Sequence, residues 1–205
     1  MDVLHQLWRA RNAVRTLQSP RRTALRIPRD RRPPAAHEFA SYGARSFVVP
    51  PTRVSGAAGI DIGHDVLVLE NSGIAVDAAH GARLVIGDRT RLAPGAEIVC
   101  TQEIVIGEGV SSSDYVVITD TWGALDHATA GPPPPGGPVV IEDGAYLGWG
   151  CVIAPGVRVG RGAFVGEGAV VVDDVPPHTV VYGNPATIVR RHDPATGRWE
   201  GRRFP

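Results

Sequence analysis

The sequence predicts an all-β fold, a parallel β-helix of about five coils, because one stretch repeats every six residues. Residues 141–176 divide into six blocks of six: IEDGAY, LGWGCV, IAPGVR, VGRGAF, VGEGAV and VVDDVP. A period of six fits neither a helix nor a two-sided strand. It fits a chain that turns through a third of a circle every six residues. Three blocks then close one triangular coil of a prism.

The residue types within each block predict which side chains face the interior. The first residue is always a large or branched aliphatic: Ile141, Leu147, Ile153, Val159, Val165 and Val171. The fifth is small: Ala145, Cys151, Val157, Ala163, Ala169 and Val175. Glycine is frequent at the fourth position, which suits a corner that needs positive φ. We therefore expect position one to fill the prism and position five to lie where the wall passes close to it.

The same phase continues upstream in three weaker sets, which brings the count to about five coils. These sets begin at Ile62, Ile86 and Ile106. The spacing between sets exceeds six, so the surplus residues must leave the prism as loops. The largest insertion spans residues 119–139. A long loop in a regular solenoid is where function is expected.

The remainder of the chain predicts an arm before the prism and a cap after it. We expect a basic N-terminal helix and linker at 1–40, the β-helix at 41–178, and a C-terminal cap and tail at 179–205. Residues 1–32 hold nine arginines against Asp2 and Asp30. Such an arm can contact phosphate, acidic lipid or an acidic face of its own subunit. A solvated helix docked on an acidic coil is the alternative.

Composition excludes several kinds of chemistry. All 21 basic residues are arginine, so no lysine is present to act as a base or to form a Schiff base. Two cysteines are too few for a disulfide or zinc framework. No run approaches eighteen apolar residues, and no signal segment opens the chain. We expect a cytoplasmic protein without stable membrane insertion, and nucleic acid is not an expected partner.

Residues 139–177 and the following VVYGNPATIVR resemble the C-terminal half of the hexapeptide O-acetyltransferases. This group includes maltose, galactoside and polysaccharide acetyltransferases, and the resemblance covers about residues 54–190. It implies a left-handed coil, which spacing alone cannot show. It also implies a homotrimer that binds acetyl-CoA between neighbouring prisms, without a metal. In this family a loop histidine acts as general base on the hydroxyl of a sugar or sugar-containing acceptor.

The resemblance directs attention to the one histidine in the long loop, His127. A neutral imidazole titrates near working pH and suits general base catalysis. Asp126 and Asp120 are the candidate partners that orient its ring. Together with Trp122 they are also the candidate acceptor-binding residues.

Two alternatives to His127 as the base remain open. Family members usually place the histidine nearer the aspartate of the preceding strand, where this chain has Gly123 or Ala124. A solvated histidine without a catalytic role is therefore one alternative. The other is that His80, which also lies in a surplus segment, is the base.

Matching positions to the family implies four residues that bind acetyl-CoA. Gly148 and Trp149 would lie near the pantetheine arm, and Gly166 would admit it by lacking a side chain. Arg190 would contact the phosphates, for which a guanidinium is well suited. The family often has a lysine where this chain has Asp173. A subunit contact is the alternative for Trp149.

These observations predict an acetyl-CoA-dependent O-acetyltransferase. The main alternative is a catalytically inactive β-helix that serves as an assembly or binding module. A γ-class carbonic anhydrase on the same prism would need three histidines converging on zinc, and the repeats hold no such set.

Overall fold

The computed structural model describes residues 35–122, 136–193 and 195–201, which form a three-sided prism of short parallel strands. Wall A contains β1 (Ser41–Tyr42), β4 (Ile60–Ile62), β7 (Arg83–Ile86), β10 (Glu103–Ile106), β13 (Val139–Ile141) and β16 (Arg158–Val159). Wall B contains β2 (Phe47–Val48), β5 (Leu67–Val68), β8 (Arg91–Leu92), β11 (Ser111–Ser112), β14 (Tyr146–Leu147), β17 (Phe164–Val165) and β19 (Thr179–Tyr182). Wall C contains β3 (Arg53–Ser55), β6 (Gly73–Val76), β9 (Glu97–Cys100), β12 (Val117–Thr119), β15 (Val152–Ile153) and β18 (Val170–Val171).

The predicted class, an all-β left-handed parallel β-helix, is confirmed, and so is the predicted orientation of the repeat. The position-one side chains from Ile141 to Val171 are buried, and each pairs with the equivalent residue one coil away. The position-five residues from Ala145 to Ala169 are buried as well. Glycines at position four, such as Gly144 and Gly150, have positive φ.

The predicted count of about five coils is wrong by one, because the described residues form six complete coils. The extra coil is the first, β1 to β3, and its residues Tyr42, Val48 and Val54 keep the spacing of six. The phase is then interrupted before Ile62 by a short 3-10 turn at Ala57–Gly59. This turn is why the repeat could not be followed backwards past Ile62.

Surplus residues leave the prism at a single edge, between wall C and the next strand of wall A. The 3-10 turns Ala57–Gly59 and Ala78–His80 lie there, on the first and second coils. Thr101 and Gln102 follow on the third coil, and the long insertion begins on the fourth, after β12. We call this the C–A edge. The turns therefore form a continuous column beside the base of the long loop.

The edge between walls A and B is closed by ion pairs that join adjacent coils. Arg45 pairs with Asp65 at 2.6 Å, Arg89 pairs with Glu108, and Arg161 pairs with Asp143 at 2.9 Å. These pairs are exposed and screened by solvent, so they add little to stability. Within each pair, the arginine and the carboxylate at the A–B edge neutralise one another.

The C-terminal segment covers the end of each wall. Wall B is extended by two antiparallel strands, β20 (Thr187–Asp193) and β21 (Arg198–Gly201). On wall C, the Val170 amide donates to Gly183 O at 2.9 Å, and the Ala186 amide donates to Val170 O at 2.8 Å. On wall A, Val175 forms a parallel bridge with Val159. Val175 thus occupies a position-one site, and its assignment to a small position-five site is wrong.

The predicted N-terminal helix lies outside the described residues, and the three predicted domain boundaries stay a prediction. The prism begins with a short 3-10 turn at Ala36–Glu38. Phe39 follows it, buried, with its ring centroid 5.1 Å from that of Tyr42.

Candidate functional site

Asp120 closes the base of the long loop with a fully buried carboxylate. Its Oδ1 accepts hydrogen bonds from the Thr101 amide at 2.8 Å and the Thr101 hydroxyl at 3.0 Å, and its Oδ2 accepts from the Gln102 amide at 2.7 Å. The side chain has 0% exposure. A buried charge requires such compensation by donors. Both oxygens are therefore committed to the preceding turn of the C–A edge.

The returning end of the loop is held against the same residue. The Gly137 amide donates to Asp120 O at 3.1 Å, and the Gly156 amide donates to Gly137 O at 2.9 Å. A Cβ at Gly136 would overlap Asp120 O, so only glycine passes there without a shift. We call the contacts among Thr101, Gln102, Asp120 and Gly137 the loop clasp. Trp122 lies two residues after Asp120, where the chain leaves the prism, and its half-buried side chain packs against the core.

The predicted base His127 and its neighbour Asp126 lie outside the described residues. His80, the alternative candidate for the general base, is among the residues that the structure describes. It lies at the same C–A edge, two coils before the long loop. Its Nδ1 is 2.9 Å from both carboxylate oxygens of Asp77. In the tautomer protonated at Nδ1, that nitrogen donates to the Asp77 carboxylate and Nε2 carries the free lone pair. The exposed His80–Asp77 pair is therefore chemically competent as a base.

A second group of predicted residues lies at the edge between walls B and C, which we call the B–C edge. Gly148 and Gly166 occupy position two of the fifth and sixth coils. A Cβ on Gly148 would come within 2.6 Å of the Gly166 carbonyl carbon, and a Cβ on Gly166 would overlap the ring of Tyr182. Glycine at 166 is thus required by Tyr182 as well as by any ligand. Trp149 lies beside Gly148 with 53% of its surface exposed.

Tyr115 is a prominent residue of the B–C edge that the sequence reasoning missed. It is 58% exposed and has φ of 61°, at a position-four site where the next two coils have Gly150 and Gly168. A bulky residue in this conformation costs about 1 to 3 kcal/mol. Its ring meets Trp149 edge-to-face, with centroids 6.4 Å apart. The sequence signal for this residue was a tyrosine at position four of its block, where most blocks have glycine.

Next to this pair, wall B carries a column of aromatic rings. Tyr146 stacks on Phe164 with centroids 4.7 Å apart, and Phe164 is 6.2 Å from Tyr182. Burial raises the pKa of the Tyr182 hydroxyl, and the nearby Glu167 and Tyr146 raise it further. Tyr182 therefore stays neutral and does not act as a base near neutral pH.

Arg190 lies on β20, beyond the sixth coil, with its guanidinium carbon 5.4 Å from the ring centroid of Trp199. Stacking on an aromatic face is a common arrangement for arginine. Its Nε is buried and has no partner among the described residues. Arg190 is therefore held against the hairpin, and its Nε is closed off from an external ligand.

The two cysteines are not suited to nucleophilic catalysis. Burial raises the pKa of the Cys100 thiol to about 12, and the Asp120 carboxylate adds to the effect. Burial likewise raises the pKa of the Cys151 thiol to about 12.

Across the described ranges, no group of three or more histidine, cysteine and acidic side chains is arranged to hold a metal ion. Within the same residues, no helix has the length and apolarity needed to cross a bilayer.

The structure separates the predicted site residues into groups on different edges. Asp120 and Trp122 lie at the C–A edge, whereas Gly148, Trp149 and Gly166 lie at the B–C edge. Wall C stands between them, about four extended residues or ~13 Å wide. Within one chain the long loop returns to wall A at Val139, on the far side of wall C from Gly148.

The most regular part of the repeat matches a known family model. The bacterial transferase hexapeptide family (six repeats) matches residues 138–173. Residues 138–173 of this chain therefore carry the repeat that this family model describes. The match coincides with the strands from β13 to β18, where the block pattern is most regular.

Proteins related by sequence match only a short segment of this chain. A 2,3,4,5-tetrahydropyridine-2,6-dicarboxylate N-acetyltransferase of Enterococcus faecalis is 52% identical over 64 residues, 31% of this chain and 28% of that enzyme. The enzyme of the same name from Staphylococcus aureus (strain bovine RF122 / ET3-1) is 51% identical over 59 residues, 29% of this chain and 25% of that enzyme. The hexapeptide-repeat chain thus spans little more than a quarter of the length of these relatives.

Solved structures resemble this chain over a larger part of its length than the sequence relatives do. AntD, an N-acyltransferase from Bacillus cereus in complex with dTDP and 3-hydroxybutyryl-CoA, has a TM-score of 0.62 at 17% identity, covering 78% of this chain and 87% of that one. PerB from Caulobacter crescentus, in complex with CoA and GDP-perosamine, has a TM-score of 0.55 at 24% identity, covering 72% and 58%. The polySia-specific acetyltransferase NeuO has a TM-score of 0.50 at 26% identity, covering 65% and 61%.

Proposed function

We propose that this protein is an acetyl-CoA-dependent acetyltransferase that modifies a hydroxyl of a sugar or sugar-containing acceptor. The observation that carries the proposal is the six-coil hexapeptide prism with a long loop anchored at one edge and a glycine-rich, aromatic edge beside it. The relatives named above support it, because the two sequence relatives, AntD and NeuO are acetyl- or acyltransferases. AntD was crystallised with dTDP and 3-hydroxybutyryl-CoA, and PerB with CoA and GDP-perosamine.

In the proposed reaction, the base removes the proton of the acceptor hydroxyl as its oxygen attacks the thioester carbonyl. A tetrahedral oxyanion forms, and its collapse breaks the C–S bond. The protonated base gives its proton to the departing sulfur, so CoA leaves as the thiol. Rigid backbone amides at the glycine corners are suitable donors to the oxyanion. Gly148 and Trp149 would lie along the pantetheine arm. The guanidinium of Arg190 would hold a phosphate through its terminal nitrogens.

We propose that the loop and the B–C edge act together across two subunits of a homotrimer. In a closed three-fold assembly, one edge of each prism can face a different edge of its neighbour. The A–B edge is less suited to this role, because its ion pairs already neutralise its charges. The C–A edge would supply the base, and the neighbour's B–C edge would supply the thioester site.

His127 is the proposed general base, and Asp126 orients its ring or contacts the acceptor. Asp120 would position the loop through the loop clasp, and Trp122 would lie on the acceptor side. We expect His127→Ala to lower kcat by ~10² to 10⁴ fold, with little change in acetyl-CoA affinity. The measurement is CoA release with saccharide acceptors, beside calorimetric titration of acetyl-CoA.

His80→Ala is the matched control, because His80 is exposed at the same edge and is paired with Asp77. Loss of turnover in His80→Ala with full turnover in His127→Ala would transfer the role of base to His80. If the unmodified protein fails to bind acetyl-CoA, the alternative of a non-catalytic binding or assembly module is favoured instead.

An amine acceptor is the second candidate, because two of the named relatives and AntD are N-acyl or N-acetyltransferases. The linkage in the product separates the two. An O-acetyl ester is cleaved by mild alkali or hydroxylamine, whereas an N-acetyl amide survives, and mass spectrometry reports either result. The cytoplasmic location stays a prediction.

A further inference from the structure

The B–C edge carries an aromatic pair for which the fold gives no reason. Tyr115 and Trp149 are among the most exposed large apolar side chains of the described residues. They lie on consecutive coils, and their rings meet at 81° with centroids 6.4 Å apart. More than half of the surface of each residue remains exposed, so both rings offer aromatic surface to a ligand.

Tyr115 keeps this position in spite of an unfavourable backbone conformation. Its φ of 61° is one that glycine adopts freely, and the chain uses Gly95 and Gly150 at the equivalent sites of the neighbouring coils. The Tyr115 ring also lies close over Gly95, where a Cβ would come within 2.5 Å of ring atom Cδ1. Arg45 and Arg89 adopt a similar φ at other corners, so what distinguishes Tyr115 is a large exposed aromatic ring in this conformation.

The surroundings of the pair are polar and open. Glu70 and Asn71 lie at the same edge two coils before Tyr115, and Asp114 precedes it directly. Glu167 lies one coil after Trp149. Isolated rings among polar groups suit a ligand with one apolar face and many hydroxyl groups.

We infer that Tyr115, together with Trp149, forms a platform that stacks against the pyranose ring of the acceptor. The C–H bonds on one face of a pyranose carry partial positive charge, and they are attracted to the negative face of an aromatic ring. The inference rests on the proposed function, since Trp149 also borders the proposed pantetheine site. Tyr115 lies one coil before it, on the side away from Arg190 and its proposed phosphate contact.

The test uses Tyr115→Gly, because glycine fits the backbone at this site, and Tyr115→Phe, which keeps the ring. Asn71→Gly is the matched control, since Asn71 has φ of 62° at the same position and edge but no ring. The probes are methyl α-glucopyranoside and methyl β-galactopyranoside, observed by saturation-transfer NMR with irradiation of the aromatic protons.

We expect saturation to reach the pyranose ring C–H protons in the unmodified protein, Tyr115→Phe and Asn71→Gly. In Tyr115→Gly the glycoside affinity falls about 2- to 12-fold, the range set by an aromatic contact. The acetyl-CoA dissociation constant stays unchanged. The melting temperature of Tyr115→Gly is equal to or above that of the unmodified protein, which a purely structural tyrosine would not produce.

Equal glycoside affinity in Tyr115→Gly and Asn71→Gly, or no transfer to either glycoside in the unmodified protein, overturns the inference. A change of sedimentation coefficient in Tyr115→Gly alone also overturns it, by assigning the pair to a subunit contact. If none of the proteins binds acetyl-CoA, the proposed function fails, while the glycoside measurement still decides the role of Tyr115.

Discussion

Asp120 shows how one buried charge organises an edge of the prism. The three donors to its carboxylate come from two consecutive residues of the preceding coil. Its backbone carbonyl receives the returning end of the loop. A single residue therefore joins the third coil, the fourth coil and the segment that leads into the fifth.

The first prediction at this scale is that Asp120→Asn destabilises the fold by about 1 to 3 kcal/mol, the cost of leaving buried partners unsatisfied. The asparagine amide nitrogen cannot accept a hydrogen bond, so at least one donor of Thr101 or Gln102 loses its acceptor. Urea unfolding measures the difference in the free energy of unfolding.

Asp174→Asn is the control for this prediction. Asp174 is exposed and accepts one hydrogen bond from the Arg158 amide at 2.8 Å, so we expect a smaller loss. Equal losses in the two variants would show that the burial of Asp120 contributes nothing beyond an ordinary corner hydrogen bond.

The sequence predicted Asp120 as a functional residue but did not predict its burial. The carboxylate follows Ile118 by two residues, where the repeat phase indicates a corner and therefore solvent. Its donors lie in Thr101 and Gln102, which belong to a surplus segment without a repeat position. Hydrogen bonds between irregular segments leave no periodic signal.

At the scale of the element, the hexapeptide block determines which side of the wall each residue faces. We predict that Ala169→Phe destabilises the prism by at least ~3 kcal/mol, because a phenyl ring exceeds the few methylenes that a packed interior can accept. Ala169 is fully buried at position five. Loss of cooperative thermal unfolding, or a large fall in melting temperature, is the expected result.

Val170→Phe is the control, since Val170 is the neighbouring, half-buried residue on the outer side of wall C. It should unfold near the temperature of the unmodified protein. Reversed results for the two variants would mean that positions five and six face the opposite sides from those described.

The regular elements were predictable because burial repeats with the chain. Positions one and five from Ile141 to Ala169 lie inside as predicted. The errors occur where the spacing changes: the first coil before Ile62, and Val175, only four residues after Val171. A shortened corner moves every later residue to a new position, and periodicity alone cannot locate the shift.

At the scale of the whole molecule, the two halves of the proposed site lie on different edges of one chain. We predict that co-expressing His127→Ala with Trp149→Ala chains restores activity that neither variant has alone. With random mixing, about a quarter of the composite sites combine an intact loop and an intact B–C edge from different subunits, if the assembly is a closed trimer.

The measurement is acetyl transfer by the purified mixed oligomer, with sedimentation confirming a trimer. Activity no higher than the average of the separately expressed variants would show that each site lies within one chain. A stable monomer in sedimentation would exclude the trimer and the composite site with it.

The column of turns at the C–A edge also bears on how such a protein can change over evolutionary time. Ile141 and Val159, which pair on wall A in successive coils, are 18 positions apart in the sequence. Ile106 and Ile141 pair in the same way but are 35 positions apart, because the chain between them includes the long loop. Loop-closure entropy makes that near-doubling cost only ~0.6 kcal/mol. The strand pairing on either side keeps its register. New segments can therefore be inserted at this edge, and tried as acceptor-recognition loops, with almost no loss of stability in the prism that carries them.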